Sequence, residues 1–427
     1  MLTMTLILQV AVMPVQTVAG PDSLPQVTLA EALERAARVD PDYISASRQI
    51  ADAAWSRRAA ITAFIVPSVN TQLSATRYSS ESFNIGTGGL SSQIVDFRLN
   101  GQLNLFAGLS KLNELARANA EMDGAHANAQ RASFATALLT ESDYYDVIAQ
   151  RELTRVAAER VRRAEEQFAI ARARVTAGAA VQTDSLQLLI EVQQAQVALL
   201  RQEARLKVAR YQLARRIGAP YAVDAAESQM FEDTTLPLTE QQAIDEAVAG
   251  SPEALQARAN QAASEARVRA LKGAFLPSID VIGSVSAFDE SFFPTATSRS
   301  SIGIRVSFPI WNNATREINF SRATSDREVQ SALRNDIELA LRRDVVQAYE
   351  AFQSATAAAQ LETQSVTVAL ENLRVQERRY QAGATTIIDL ITAQVSLSEA
   401  EAELVQARFT TRLALSGLEA ILGRRLF

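Results

Sequence analysis

Two hydrophobic periods alternate along this chain, and the switch between them occurs twice. Over 111–176 and 183–217, and again over 316–381 and 386–422, apolar residues recur at helical spacing. Leu333, Ile337, Leu341, Val345, Tyr349 and Phe352 share one face, followed by Val366, Leu370, Leu373 and Tyr380. Val161 and Phe168 hold the corresponding face of the first copy. Elsewhere the period drops to two. Val69, Thr71, Leu73 and Ala75 alternate with polar neighbours, as do Val95, Phe97, Leu99, Gly101 and Leu103. Ile279, Val281, Gly283 and Val285 repeat the pattern, and so do Ile302, Ile304, Val306 and Phe308. Such alternation predicts strands with one apolar and one polar face, at 69–78, 94–105, 278–287 and 300–308. Polar, Ser/Gly-rich or aromatic-edged loops separate each pair.

Helix signals bound the rest. No proline occurs between Pro67 and Pro220 or after Pro309. A helix over 111–176 would be about 100 Å long at 1.5 Å per residue. Gly178 and Gly383 follow the long helices, where a left-handed C-cap is expected. Thr183 or Asp184 is expected to cap the helix after the first glycine. Asp389, three residues after Thr386, suits a capping box. Shorter helices are expected at 28–39, 42–63, 238–249 and 252–274. Asp40-Pro41-Asp42 and Ser251-Pro252-Glu253 supply cap, first-turn proline and acid in the same order. A constant offset of 205 pairs Tyr144 with Tyr349, Gly178 with Gly383, Asp184 with Asp389 and Gly218 with Gly423. The chain therefore reads as a duplication, 20–218 and 238–427, joined by an irregular linker at 219–237. The medium and post-glycine helices together nearly match one long helix in length, so they are expected to stack end to end against it.

Composition narrows the chemistry. The chain has 427 residues, 48% of them apolar but only 6% aromatic, which favours thin helix-on-helix packing over a thick core. There is no Cys and one His, His126, read as a solvent-facing helix residue. With no Gly-rich phosphate loop and no nucleophile elbow, neither an enzyme nor a metal or cofactor site is expected. A net charge of −6 argues against nucleic acid as partner. Only Lys111, Lys207 and Lys272 are lysines; the other basic residues are arginines. The apolar run near the start, with Ala19 before Gly20, reads as an export signal over 1–19 although it lacks a basic n-region.

The strands are the strongest pointer to function. About ten residues suffices to cross a bilayer as a tilted strand, and alternation gives a lipid face and a water face. Four strands cannot close a barrel, and open edges are not tolerated in lipid. A membrane sheet of this kind must be shared between copies. Phe83, Phe97, Phe288, Phe292, Phe293 and Trp311 near strand ends fit an interfacial girdle. The competing reading is a structural coiled-coil envelope protein without a pore, which explains the helices but not the strands.

The order Val-Pro-Ser or Leu-Pro-Ser, paired strands, Leu105-Phe106 or Ile310-Trp311, long helix, Ala-Gly, aspartate, second helix, all twice, resembles the TolC family of outer-membrane efflux proteins. It covers about residues 25–425. The resemblance implies a mainly α fold with a small β part. Its duplicated hairpins would form a trimeric α-helical barrel, and four transmembrane strands per protomer a shared twelve-stranded β-barrel. It implies a homotrimer in outer-membrane lipid of a Gram-negative bacterium, with a large periplasmic portion. It also implies a passive duct coupled through a periplasmic adaptor protein to an inner-membrane pump of the RND, ABC or MFS type, for efflux or type I secretion. The family's periplasmic constriction falls on Thr183, Asp184, Tyr380 and Asp389. Its adaptor-docking tips fall on Gly178, Ala179, Gly383 and Ala384. Thr385 and Thr392 stand where some members carry Arg and a second Asp.

Overall fold

A computed structural model describes residues 24–84, 88–226, 236–290 and 298–427. The export signal expected at 1–19 lies outside the described residues, as do Phe292 and Phe293. The first half runs β1 (Gln26–Val27), α1 (Leu29–Val39), α2 (Pro41–Thr62), β2 (Ser68–Asn84), β3 (Gly89–Ala107), α3 (Ser110–Thr176) and α4 (Gln182–Arg216). The second runs β4 (Asp224–Ala225), α5 (Glu240–Gly250), α6 (Pro252–Lys272), β5 (Ser278–Asp289), β6 (Ser298–Ser307), α7 (Thr315–Gln381) and α8 (Ile387–Leu422). A 3-10 turn at Gly273–Phe275 follows α6. Both long helices have 67 residues.

Local chemistry sets the helix starts. Asp40 accepts from the backbone N–H groups of Asp42 and Tyr43 at 3.0 Å, with Pro41 in the first turn of α2. Ser251 does the same for Ala254 at the start of α6. Thr239 and Gln242 form a reciprocal capping box on α5.

Three expectations need correction. Strands β2 and β3 extend well past 69–78 and 94–105, because the Ser-rich stretch between them pairs as far as Asn84 and Gly89. The linker at 219–237 is not wholly irregular: Asp224–Ala225 pairs in parallel with Gln26–Val27. On the helical stripe, Leu341, Val345, Phe352, Leu373 and Tyr380 are buried, but Leu333 and Leu370 are nearly half exposed.

The chain divides into two compact units. One comprises Asp40–Leu138, Thr234–Ser354 and Ala414–Phe427, and holds the four-stranded sheet. The order is β2-β3-β5-β6, antiparallel throughout. Where β3 and β5 pass into helix, Gly108 and Gly273 touch. A Cβ on Gly108 would lie 2.4 Å from the Gly273 carbonyl, and one on Gly273 2.8 Å from the Ala107 carbonyl. Only glycine fits both positions. This unit's main apolar cluster joins Leu238, Ile244 and Ala247 to Val345, Leu418 and Leu422.

The other unit comprises Met1–Val39, Leu139–Asp233 and Ala355–Leu413. One cluster packs Val27 and Ala225 of the small parallel pair against Tyr144, Val147 and Leu213. The Tyr144 hydroxyl donates to the Ala226 carbonyl at 3.0 Å. A second cluster, with Leu188, Leu373, Tyr380, Leu390 and Leu397, lies at the two hairpin tips.

Candidate functional site

The α3–α4 and α7–α8 tips are built alike. Gly178 and Gly383 both sit at φ 73°. The Gly178 N–H reaches the Val175 carbonyl and the Ala179 N–H the Arg174 carbonyl; Gly383 and Ala384 repeat this on Tyr380 and Arg379. These are Schellman caps, which satisfy carbonyls left open at a helix end and favour glycine for its positive φ. All four tip residues, Gly178, Ala179, Gly383 and Ala384, are exposed. Nothing lies within 4 Å of a Cβ built on either glycine.

Beyond the glycines the tips differ. Neither Thr183 nor Asp184 caps α4: the N-cap is Val181, with no side-chain bond, and both residues fall inside the first turn. The backbone turns into helix at Gln182, two residues earlier than a Thr183 cap would imply. Thr183 is exposed and Asp184 half-buried. At the other tip Asp389 is a capping acid. Its Oδ2 accepts from the Thr386 N–H at 3.0 Å, the Thr386 hydroxyl at 2.7 Å and the Thr385 hydroxyl at 2.8 Å. The Thr386 oxygen accepts the Asp389 N–H in return. The two threonine hydroxyls and the Thr386 N–H hold the Asp389 carboxyl below its ordinary value.

The structure brings Asp184 and Tyr380 together and adds a residue the sequence reading missed. Tyr380 is only 5% exposed. The Arg174 guanidinium lies 5.1 Å from its ring centroid and donates through Nη1 to the Tyr380 carbonyl at 2.9 Å. That carbonyl is one of the last in α7, so Arg174 acts both as a cap and as a cation at the negative end of the dipole. Burial pushes the Tyr380 phenol up, and the Asp184 carboxylate adds to the shift. The phenol hydroxyl meets no acceptor at ordinary hydrogen-bond geometry. The sequence signal for Arg174 was its place in the last turn of α3. Behind the tips, Arg160 of α3 pairs with the buried Glu191 of α4 at 2.7 Å, and Arg163 with Glu401 of α8 at 3.1 Å. The hydrogen bonds to Asp389 come from its own turn, and Thr183 has no part in the Arg174–Tyr380 contact.

In the other unit, strand register sorts the sheet into two faces. Leu73, Phe97 and Ala287 line up across β2, β3 and β5, and Leu103, Val281 and Ile304 across β3, β5 and β6. On this face Ile302 is 84% and Ile304 72% exposed. The opposite face carries Asn70, Asn100, Ser284 and Ser301 in one row. Asp280 there accepts from Asn104 Nδ2 at 2.9 Å and Gln102 Nε2 at 3.2 Å, and Arg98 pairs with Asp96 at 3.0 Å. Among the described residues β2 and β6 each pair on one side only. The result is a sheet of bilayer-crossing length, apolar on one side, polar on the other and open at both edges.

Comparison with known proteins agrees with these features. The profile of a family described as "Outer membrane efflux protein" matches residues 32–219 and 243–424. The pyoverdine export outer membrane protein OpmQ of Pseudomonas putida is 27% identical over 283 residues, 65% of this chain and 58% of that protein. The chain thus spans somewhat more than half the length of that relative. The outer membrane efflux protein BepC of Brucella suis is 26% identical over 356 residues, 80% of this chain and 76% of that protein. Among solved structures, the open state of the Neisseria gonorrhoeae MtrE outer membrane channel superposes with a TM-score of 0.78 at 18% identity, over 93% of this chain and 89% of that one. That last likeness is one of fold.

Proposed function

The chain belongs to the outer membrane efflux protein family, and from that premise we propose that it is the outer-membrane channel subunit of a tripartite efflux or type I secretion assembly. It is a passive duct from periplasm to exterior, coupled through a periplasmic adaptor to an inner-membrane transporter. The observation that carries this reading is the two-faced, four-stranded sheet with both edges open. An exposed apolar face as wide as four strands fits lipid, and the Asn- and Ser-rich face fits a water-filled lumen. The edges of β2 and β6 must be covered by neighbouring copies, since backbone groups left open in hydrocarbon each cost several kcal/mol. The family likeness supports three copies and twelve strands.

At the hairpin tips, Asp184, Tyr380, Asp389 and Thr183 form the periplasmic constriction. Repetition around an axis brings carboxylates together and favours cations. The exposed Gly178-Ala179 and Gly383-Ala384 turns receive the adaptor. The Arg174–Tyr380–Asp184 contact ties the two tips together, where Thr385 offers no cation.

The test is to purify the full chain in detergent, compare its mobility unheated and heated, and record currents across planar bilayers. A heat-sensitive oligomer and discrete, cation-preferring conductance steps are expected. A monomer that stays in solution without detergent and passes no current would overturn the proposal.

A further inference from the structure

The polar face of the sheet is not uniform. Strand register arranges it in rows. Asn70, Asn100, Ser284 and Ser301 form one row, and Gln72, Arg98, Ser286 and Arg299 form the next. On the other side of the first row, Asn104, Asp280 and Arg305 line up across β3, β5 and β6. A cleft of about 330 Å³ opens on the first row, with Ser68, Asn70, Asn100, Ser284, Ser301 and Arg305 in its lining. Every polar side chain in that lining can donate a hydrogen bond. No carboxylate lines the cleft, and Arg305 is its one charged residue. Arg299 stands one row beyond it, two residues or about 7 Å along β6 from Ser301.

The charges around the cleft are unevenly matched. From Asp96 to Asn104 of β3, and on the residues paired with that stretch, this face holds Arg98, Arg299 and Arg305 against Asp96 and Asp280. Arg98 pairs with Asp96 at 3.0 Å. Asp280 is buried, accepts from Asn104 and Gln102, and offsets part of the charge on Arg305 opposite it. Arg299 is exposed, and its row holds Ser286, Arg98 and Gln72. No carboxylate pairs with it among the described residues. Residues 291–297, which precede its strand, contain no Asp or Glu. Closure across copies would bring β2 of a neighbour beside β6. The polar face of β2 from Ser68 to Thr76 carries only Ser, Asn, Gln and Thr, so it brings no carboxylate either.

We propose that this cleft, with Arg305 and Arg299, is a binding station for small multivalent oxyanions in transit through the barrel. The guanidinium fork takes an oxyanion through two N–H donors, and rings of arginine favour anions in water-filled pores. The hydroxyls and amides of the Asn100 row supply neutral donors to the same ligand. The inference rests on the reading of this face as the wall of a lumen. It goes beyond that reading by naming a cargo class and the residues that hold it.

Small-ion preference is assigned to the tip carboxylates, so block by an added anion reads this face directly. Currents through the full chain are recorded in planar bilayers at low ionic strength, where charges are least screened. Citrate, or glucose as a neutral molecule of similar size, is added to each side in turn. Citrate should reduce the wild-type current saturably, and glucose should not. An exposed ion pair contributes up to about fivefold in binding. Arg299→Gln, which leaves no carboxylate without a partner, should therefore weaken the block about fivefold, and R299Q/R305Q should weaken it further. Arg299→Lys should keep most of it. The unblocked current of each variant shows that it still assembles. A wild-type current indifferent to citrate would overturn the proposal, as would equal block of the wild type and Arg299→Gln. Equal block by glucose would mean that the lumen is merely filled, which also overturns it. No current from the wild type in any condition would instead sink the channel reading on which the proposal rests.

Discussion

Replacing Arg174 by Ala tests the hairpin-tip account most sharply. The substitution removes the hydrogen bond from Nη1 to the Tyr380 carbonyl and the guanidinium stacked on the Tyr380 ring. A charge-assisted hydrogen bond contributes about 1.5–3 kcal/mol, and a half-exposed cation–π contact about 0.5–1 kcal/mol. Arg174 is only half-buried, so water recovers part of this. About 2 kcal/mol remains, which corresponds to roughly thirtyfold in the local opening equilibrium. The Gly383 and Ala384 amides, bonded to the Tyr380 and Arg379 carbonyls, report that opening directly. Hydrogen exchange on the detergent-solubilised protein should show them about thirtyfold faster, with amides in the sheet unchanged. Arg174→Lys, which keeps the charge but not the planar stacking, should recover part of the protection. Unaltered exchange at both amides in Arg174→Ala would refute the role assigned to this contact.

The remaining predictions follow from the same geometry. Neutralising the tip carboxylates together, Asp184→Asn with Asp389→Asn, should raise single-channel conductance and lower cation preference; identical currents would remove both from the constriction. Gly383→Val meets open space but forces a branched side chain to φ 73°, at a cost of about 1–2 kcal/mol. It should weaken pump-dependent drug resistance while leaving the oligomer intact on unheated gels. Gly273→Ala places a methyl 2.8 Å from two backbone carbonyls, so yield of the heat-sensitive oligomer should fall sharply. The Asp389 carboxyl is held low, so its capping contribution is complete above about pH 4 and fades as pH falls through the lowered value. Exchange of the Thr386 amide, measured from pH 6 downward, should accelerate only in that acidic range.

Much of the fold was legible because period and punctuation agreed. Alternation at Ile302, Ile304 and Val306, and glycines two residues past each long helix, each had one physical interpretation. The β1–β4 pair was not legible, because two residues cannot express a period of two. The true ends of β2 and β3 were hidden by serines that pair well in a ladder yet resemble a loop. Thr183 and Asp184 misled because capping chemistry was read without the backbone, which turns helical at Gln182. Asp389 was readable as a capping acid, since its Thr partner lies three residues away. Arg174 was not, because its partner lies more than two hundred positions along the chain.

The central claim is that the sheet is incomplete in one copy and closes only across copies. Native mass spectrometry of the full chain, released from mild detergent, counts chains per particle directly. The account predicts particles of three chains that fall apart on heating. Particles of one folded chain, stable and sheet-containing, would contradict it.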